Sequence, residues 1–347
     1  MKEDAEGFIK SLFFGNIRED MVFPFPRLEP EVAETVAMMQ EAVGKFADEH
    51  IDSTKWDEDA AMPREIVDKV SELGLMGLLV EERHNGLGLP MMAYGHIFEK
   101  LATYDSALTV TVGAHQSIGY KALLLYGNEE QRERFLPRLA TGELIAAFCL
   151  TEPSSGSDAA SIQTKAVLSE DGKHYTLNGS KIWITNGGIA TFLTVFAKVE
   201  VEHKGAKKEK VTCFVLEIPS EGVTVGPPEK KMGIKASWTN EVHLENVKVP
   251  VENIVGEAGK GFKVAMGILN HGRLGLAAGC VGGIKNCIKA AVEHATERRQ
   301  FQKKLIEFGM IQDKIAQMTI DLYAAESMVY LTTHLIDRGD VDYYLES

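Results

Sequence analysis

The chain has 347 residues, of which 45% are hydrophobic and 25% charged, a composition typical of a folded protein with more than one domain. Because 37 lysines and arginines face 50 aspartates and glutamates, the formal net charge is −13, which argues against binding to nucleic acids and general adhesion to anionic membranes. The four cysteines form no CxxC pair, and no apolar run reaches the roughly 20 residues of a membrane span. We therefore expect reduced thiols, no metal site and no transmembrane segment.

The first 145 residues predict an irregular arm followed by a helical domain. In the arm, residues 1–29, the alternating prolines of Phe23-Pro24-Phe25-Pro26 favour an extended path. Apolar residues recur at helical spacing from Val32 to Phe46, and Pro63 suits the first turn of the next helix. We predict the N-terminal helical domain at 30–145, with further helices at about 91–104, 107–126 and, after an N-cap at Asn128, 129–139.

The period changes at Ala146, where short β-branched and aromatic runs alternate with turn residues. Asn178-Gly179 lies between two such runs and predicts a hairpin with a tight turn. Further strands are predicted at 192–199, 211–218 and 241–247. We assign residues 146–257 to a middle antiparallel β domain.

Helical spacing returns after the glycine-rich stretch Gly256–Gly261 and predicts two long helices, 262–297 and 310–336. Two antiparallel helices leave apolar faces that need partners, and another helix begins near Ser347, so we expect the bundle to continue beyond this residue. The C-terminal helical domain is predicted at 258–347. The fold class is therefore multi-domain α+β, with an N-terminal helical domain, a middle antiparallel β domain and a C-terminal helical bundle.

Two segments of the β domain have the chemistry of a binding site. Phe148–Asp158 is a small, polar, glycine-containing turn that exposes backbone amides and hydroxyls. Trp183–Gly188 places an indole beside the hydroxyl of Thr185 at the end of a strand, which suits a flat ring. Taken singly, the first is equally typical of an ordinary polar loop and the second of a core tryptophan.

Five motifs together resemble acyl-CoA dehydrogenases: FCLTEPSSGSD, KIWITNGG, MGIKAS, GFKVAMGILN and ERRQF. The segments LFFGNIREDMVFPFP and AHQSIGYKALLLYG are most similar to the very-long-chain branch and its complex I assembly relative. The resemblance extends from about residue 10 onward, and it implies the same helical, β, helical order of domains.

The resemblance also implies roles for individual residues. FAD is the expected cofactor, with Trp183 flanking its isoalloxazine ring, Thr185 bonding near the reactive nitrogen and Arg298 reaching the pyrophosphate of a neighbouring subunit. The expected cofactor-binding residues are Phe148, Leu150, Thr151, Ser157, Trp183, Ile184, Thr185, Arg298, Gln300 and Phe301. The expected acyl-CoA-binding residues are Ser157, Gly113, Ala114, Asn270, His271, Gly272 and Arg273.

The implied reaction is the oxidation of an acyl-CoA to a trans-2-enoyl-CoA in fatty acid β-oxidation, with electrons passed to an electron-transferring flavoprotein. The sequence departs from the family at the catalytic base, because it contains no YEGT-like segment and has Gly272 at the alternative position. We expect the catalytic glutamate, and the family's QxxGGxG segment, to lie beyond Ser347. Trp238 is a second departure, since relatives have a smaller polar residue after MGIKAS.

Substrate length, location and role are further expectations. The small residues of Val110–Ala114 favour a deep tunnel and a long acyl chain, although Gly113 and Ala114 also suit close helix packing. We expect a homo-oligomer, a dimer or tetramer, and the acidic start Met1–Asp4 favours a bacterial cytoplasm over a mitochondrial matrix. Two other roles stay open: a catalytically weak protein that assembles a respiratory complex, and a different flavin reaction on the same fold.

Overall fold

The computed structural model of the protein describes residues 7–203 and 205–347, so the start of the predicted arm, including Met1–Asp4, lies outside the described residues. The chain divides into two compact units. The first contains the residues up to Ile51 together with Pro90–Thr109 and Arg273–Ser347, and the second contains Asp52–Leu89 and Val110–Gly272. In the described ranges, no helix is both long enough and apolar enough to cross a membrane.

The helices agree closely with the periodicity of the sequence. They are α1 (Phe8–Phe13), α2 (Pro30–His50), α3 (Ser53–Asp59), α4 (Arg64–Glu72), α5 (Met91–Ala102), α6 (Ser106–Gly113), α7 (Lys121–Tyr126), α8 (Glu129–Ala140), α9 (Gly261–Glu297) and α10 (Gly309–Arg338). The predicted N-cap of α8 is confirmed, because Asn128 Oδ1 accepts from the Gln131 amide at 2.8 Å and Gln131 Oε1 accepts from the Asn128 amide at 3.2 Å.

The predicted helix at 107–126 is wrong in one respect. It is interrupted between α6 and α7 by a wider π-helical turn at Ala114–Gly119. In this turn the buried His115 Nδ1 accepts from the Ala146 amide at 2.9 Å, and Gln116 Nε2 donates to the Leu75 carbonyl at 2.8 Å. The inserted residue thus lets two polar side chains reach backbone groups that a regular helix would not align with.

The second unit is built around a sheet with strands β1 (Ala146–Cys149), β2 (Lys165–Leu168), β3 (His174–Thr185), β4 (Phe192–His203), β5 (Ala206–Glu217), β6 (Val223–Pro228), β7 (Thr239–Pro250) and β8 (Ile254–Val255). The strand order is β6-β7-β3-β2-β4-β5-β8. Most pairings are antiparallel as predicted, but β1 and β2 both pair with β4 in parallel. Apolar clusters pack on each face of this sheet, and the cluster shared with α7, α8 and the start of α9 contains Phe135, Phe192 and Phe196.

The predicted hairpin at Asn178-Gly179 is also wrong, because β3 runs without a turn from His174 to Thr185. The two residues lie at a β-bulge, and Asn178 stays bound to the neighbouring strand through Asn246, whose amide donates to Asn178 Oδ1 at 2.9 Å. A Cβ atom at position 179 would lie 2.4 Å from Thr164 Oγ1. The glycine therefore permits a close approach rather than a turn.

The first unit contains α1, α2, α5, the start of α6, the later part of α9, and α10. Both predicted long helices are confirmed. The carboxylate of Asp337 on α10 accepts from the amides of Met91 and Met92 at 2.6 and 2.9 Å, which satisfies the N-terminus of α5. Near Ser347 the expected further helix is a single turn closed on the carbonyl of Tyr343.

Candidate functional site

Trp183 lies at a β-bulge near the end of β3. Lys181 pairs with Val242 and Ile184 pairs with Asn240, so β3 advances by three residues where β7 advances by two. Trp183 has a φ of 56°, in the left-handed region, and leaves 63% of its surface exposed. Such a backbone costs a bulky residue about 1–3 kcal/mol, and bulges re-aim side chains near functional sites. An indole held outward at this cost indicates a surface for a flat ligand.

The loop that follows β1 is closed by its own hydrogen bonds. The amide and carbonyl of Glu152 bond with those of Ser155 at 2.9 and 3.0 Å, and Ser155 Oγ donates to the Asp158 carbonyl. This tight turn leaves Gly156 and Ser157 exposed, and within the described ranges their amides bond to no other residue. Two exposed residues with such amides, one of them with a serine hydroxyl, suit an acceptor on a ligand, as the motif predicts.

The two predicted motifs lie side by side. The amide of Ile182 donates to the Thr151 carbonyl at 3.0 Å, and Lys181 Nζ donates to the Leu150 carbonyl at 3.2 Å. Leu150 and Ile184 bury their side chains in the core, while Thr151 and Thr185 are half-buried. The groups available to a ligand at this edge are thus the Trp183 indole, the threonine hydroxyls and the loop.

Phe148, another predicted cofactor residue, lies on β1 and is partly buried. Its ring packs against that of Phe196 with centroids 5.1 Å apart. Its side chain therefore contributes to the packing of β1 against β4, one residue before the strand ends and the loop begins.

A buried ion pair joins the two motifs, and sequence reasoning missed it. Lys181 Nζ lies 2.7 Å from Glu152 Oε1, and both side chains are fully or almost fully buried. Burial alone would raise the pKa of the Glu152 carboxyl, but the Lys181 ammonium and hydrogen bonds from Gln163 and Thr164 outweigh it and hold that pKa below its ordinary value. The carboxylate is therefore ionised at neutral pH.

Asn186, directly after β3, was also missed. It has a φ of 66°, and its Nδ2 donates to the carbonyls of Thr111 and Ala146 at 2.9 and 3.3 Å, while its amide donates to the Trp238 carbonyl at 2.6 Å. Asn186 thus links the end of β3 to the predicted acyl-pocket segment. Trp238, the unusual residue, is half-buried and contributes its carbonyl to this link.

The predicted acyl-CoA residues of the second unit lie around the π-helical turn and α9. Gly113 ends α6, and its carbonyl accepts from Ser117 Oγ at 2.6 Å, while Ala114 is buried. His271 is buried with Nδ1 3.0 Å from the Gly267 carbonyl, and Asn270 is half-buried. Burial, with the Lys121 ammonium, lowers the pKa of His271 to about 4, so its imidazole is neutral at pH 7.

Gly272, the alternative position for a catalytic base, is packed against the π-helical turn. A Cβ atom there would lie 2.6 Å from Ile118 Cγ2. The position accommodates glycine, and a longer side chain would require Ile118 to move.

The remaining predicted residues belong to the first unit. Arg273 lies exposed on α9, and Arg298 follows the end of that helix, where its amide donates to the His294 carbonyl at 2.9 Å. A hairpin of β9 (Arg299–Gln300) and β10 (Lys303–Lys304) comes next. Its turn residues Phe301 and Gln302 have φ values of 52° and 66°, the geometry of a type I′ turn.

This turn is unusual because type I′ turns favour asparagine and glycine. Phe301 is nevertheless 88% exposed in this strained backbone. The side chains of Arg298 and Gln300 are exposed on the same segment. Strain at an exposed aromatic again indicates a contact surface rather than a core role.

Three protein-family models match the chain in order. They are the acyl-CoA dehydrogenase N-terminal domain at residues 33–143, the middle domain at 147–247 and the C-terminal domain at 259–346. The chain belongs to the acyl-CoA dehydrogenase family. The predicted order of helical, β and helical regions is confirmed by these matches.

Known relatives agree with this assignment. The human very long-chain specific acyl-CoA dehydrogenase is 48% identical over the whole chain, which covers 53% of that protein. Butyryl-CoA dehydrogenase from Megasphaera elsdenii is 36% identical with a TM-score of 0.85, over 92% of this chain and 83% of that one. An acyl-CoA dehydrogenase from Bacillus anthracis, solved in complex with FAD, is 39% identical with a TM-score of 0.85, over 96% of this chain and 55% of that one.

The chain spans about half the length of the curated very-long-chain relatives that it matches. Within residues 7–203 and 205–347, no group of three or more His, Cys, Asp or Glu side chains is arranged to hold a metal ion.

Proposed function

We propose that this chain carries the flavin and acyl-CoA cradle of an FAD-dependent dehydrogenase that oxidises long-chain acyl-CoA to trans-2-enoyl-CoA. The observation that carries the proposal is the strained, exposed Trp183 beside Thr185, on a strand whose Ile182 amide donates to the Thr151 carbonyl at the start of the Gly156–Ser157 loop. A flat heteroaromatic ring needs an apolar face and directed hydrogen bonds at its edge, and this edge of the sheet offers both.

The residues present fit FAD. Trp183 would flank the isoalloxazine ring, Thr185 would bond near its reactive nitrogen, and Thr151 with Ser157 would supply further hydrogen bonds. When bound, FAD accepts the hydride from the β-carbon of the substrate. Arg298, with Gln300 and Phe301, would contact the pyrophosphate end in a neighbouring subunit, because a guanidinium binds phosphate through several donors at once.

The chain's own residues would also orient the substrate. By the family resemblance, Ser157 would face the substrate side of the loop, and Asn270, His271 and Arg273, which belong to α9, would contact acyl-CoA. Because burial keeps His271 neutral, it would offer a hydrogen bond without repelling or neutralising a charge. Small residues at Gly113 and Ala114 would leave room for a long acyl chain.

The proton α to the thioester must go to a carboxylate. Position 272 holds glycine against Ile118, so the base is not there. In this proposal the base is the family's late glutamate, in the YEGT-like segment that these 347 residues do not contain.

The partners and location in the proposal rest on the family. Electrons would pass to an electron-transferring flavoprotein, and the protein would act as a homo-oligomer, a dimer or tetramer. A bacterial cytoplasm, with a mitochondrial matrix as the alternative, stays a prediction, as do the domain boundaries at 30, 146 and 258.

Flavin content tests the proposal. The protein, expressed from its complete coding sequence, should purify with about one FAD per chain, and Trp183→Ala should lose most of it. Trp56→Phe is the control, because Trp56 is a buried tryptophan of α3 in the same unit and belongs to neither motif. Purified protein without flavin, and unable to take it up, would reject the proposal. Retained FAD that does not respond to acyl-CoA would favour the assembly role.

A further inference from the structure

The strand pairing of the sheet has a gap where the two predicted ligand-binding motifs meet. On one side of β4, the pairing with β1 covers Phe192–Val195 and the pairing with β2 resumes at Lys198. Between them, residues 150–164 leave the sheet and form the loop that carries Thr151 and Ser157. This gap leaves the carbonyl of Phe196 without a strand partner on that side.

Lys181 fills the gap. Its ammonium donates to the Phe196 carbonyl at 2.7 Å, to the Leu150 carbonyl at 3.2 Å and to Glu152 Oε1 at 2.7 Å. All three N–H groups are therefore used, and the side chain is fully buried. One lysine of β3 thus contacts β4 and the start of the loop after β1.

Glu152 extends the same attachment along the loop. Its carboxylate accepts from the amides of Gln163 and Thr164 and from Thr164 Oγ1, the last two at 3.0 and 2.5 Å. Both the start and the end of the loop are therefore bound to one buried pair. We call Lys181 and Glu152, with these bonds, the Lys181–Glu152 clamp.

Stability alone does not account for a buried pair of this kind. Desolvation of two charges offsets most of their attraction, and apolar replacements of similar size are often as stable or more stable. What the pair adds is direction, since each bond fixes one backbone group at one distance. The backbone groups fixed in this way, the Leu150 carbonyl and the amides of Gln163 and Thr164, flank the loop. On β3, Trp183 follows Lys181 by two residues.

We propose that Lys181 and Glu152 are positioning residues of the ligand site, which set the spacing between the Thr151–Ser157 loop and the Trp183–Thr185 strand end. The inference rests on the proposed flavin site. Neither residue touches the ligand. Because Lys181 is anchored inward, the extra residue of the bulge is displaced outward, and this residue is Trp183.

Lys181→Met in the protein from the complete coding sequence tests the clamp. We expect FAD to bind the flavin-free protein about tenfold more weakly or worse, because bonds to a charged group are lost. Lys165→Met is the matched control, since Lys165 pairs with Glu209 at 2.7 Å in the same sheet but on its surface, and FAD affinity should not change. Equal affinity in Lys181→Met and Lys165→Met would overturn the proposal.

A double variant separates positioning from stability. Lys181→Met with Glu152→Gln removes both charges, keeps an acceptor for Gln163 and Thr164, and should recover part of the thermal stability lost in Lys181→Met. The proposal requires FAD affinity to stay about tenfold reduced in this double variant. Recovery of affinity together with stability would show a merely structural pair. If Lys181→Met does not fold, Glu152→Gln, which keeps the shape, should show the same direction of change.

Hydrogen–deuterium exchange of the flavin-free protein separates this proposal from the proposed function. In Lys181→Met, the amides of Gln163 and Thr164 should exchange at least about tenfold faster, because their acceptor is no longer fixed. Unchanged exchange would reject the clamp even in a protein that binds FAD. Faster exchange in a protein that never binds FAD would reject the flavin site and leave the clamp.

Discussion

The side-chain amide of Asn186 donates to the backbone carbonyl of Thr111 at 2.9 Å, which ties the end of the Trp183 strand to the segment before the π-helical turn. Asn186 is fully buried, and its Oδ1 has no hydrogen-bond partner among the described residues. The two segments are 75 residues apart in sequence. A change at Asn186 should therefore affect both the flavin side and the acyl side of the site.

Asn186→Leu should reduce the free energy of unfolding by about 1–3 kcal/mol, because two buried carbonyls lose their donor. Urea denaturation measures this loss. Asn178→Ala, whose side chain bonds to Asn246 on the exposed surface of the sheet, should cost less than about 1 kcal/mol. Equal costs at the two positions would contradict the structural importance of the Thr111 link.

Trp183→Gly separates function from stability. Glycine adopts a positive φ without strain, so the free energy of unfolding should stay the same or rise by about 1 kcal/mol, while FAD retention falls. Trp183→Ala removes the indole but keeps the strain, and should be the less stable of the two. A variant that keeps its full FAD content would show that the indole has no role in binding.

Gly272→Ala should destabilise the protein by about 1–3 kcal/mol, because the new methyl group overlaps Ile118 Cγ2. Gly283→Ala on the same helix is the control, since nothing lies within 4 Å of its Cβ position. This control should gain about 0.5–1 kcal/mol from helix propensity. Chemical denaturation measures the free energy of unfolding of both variants. A change in the same direction in the two would refute the close packing at Gly272.

Arg298→Ala should lower the FAD retained after gel filtration, if the guanidinium reaches the pyrophosphate as proposed. Arg299→Ala is its matched neighbour, because that side chain instead donates to the Gln302 carbonyl within the hairpin at 3.2 Å. Flavin absorbance per chain gives the comparison. Similar retention in the two variants would remove Arg298 from the site.

The pKa of His271 makes the stability depend on pH. Burial and Lys121 hold this pKa at about 4 in the folded protein, against 6.5 ordinarily. Between these values the unfolded chain binds a proton that the folded chain does not, so the free energy of unfolding falls as the pH falls from 6.5 towards 4. Between pH 7 and 5, the free energy of unfolding of His271→Gln should fall by about 1–2 kcal/mol less than that of the wild type. Parallel pH profiles would contradict the buried neutral imidazole.

Local patterns were sufficient to predict most helices. Apolar spacing predicts α2 and the two long helices. The start of α8 is predicted by Asn128, because an N-cap acts on the residues next to it in sequence. The pair Asn178-Gly179 led to a wrong prediction, because its local sequence is typical of a turn. Pairing with the distant strands β2 and β7, including the bond from the Asn246 amide, holds it in an extended strand.

Sequence motifs indicate the groups that carry ligand chemistry, and these stay predictions, whereas the buried contacts that hold the two motifs together follow only from the folded structure. Trp183, Thr185 and Ser157 belong to motifs that can be read in sequence. Lys181 was missed because a lysine on a strand is normally solvated, and its three acceptors come from segments 15 to 31 residues away. The left-handed backbone of Trp183 likewise follows from the bulge in the pairing of β3 with β7, because tryptophan by itself disfavours a positive φ.

The central claim is that this edge of the sheet holds a flavin that acyl-CoA reduces. The most direct test is anaerobic addition of palmitoyl-CoA to the flavin-loaded protein from the complete coding sequence, followed by its visible absorbance. We expect the oxidised flavin band to bleach, and to bleach more slowly with butyryl-CoA. A band that stays unchanged while FAD remains bound would contradict the claim.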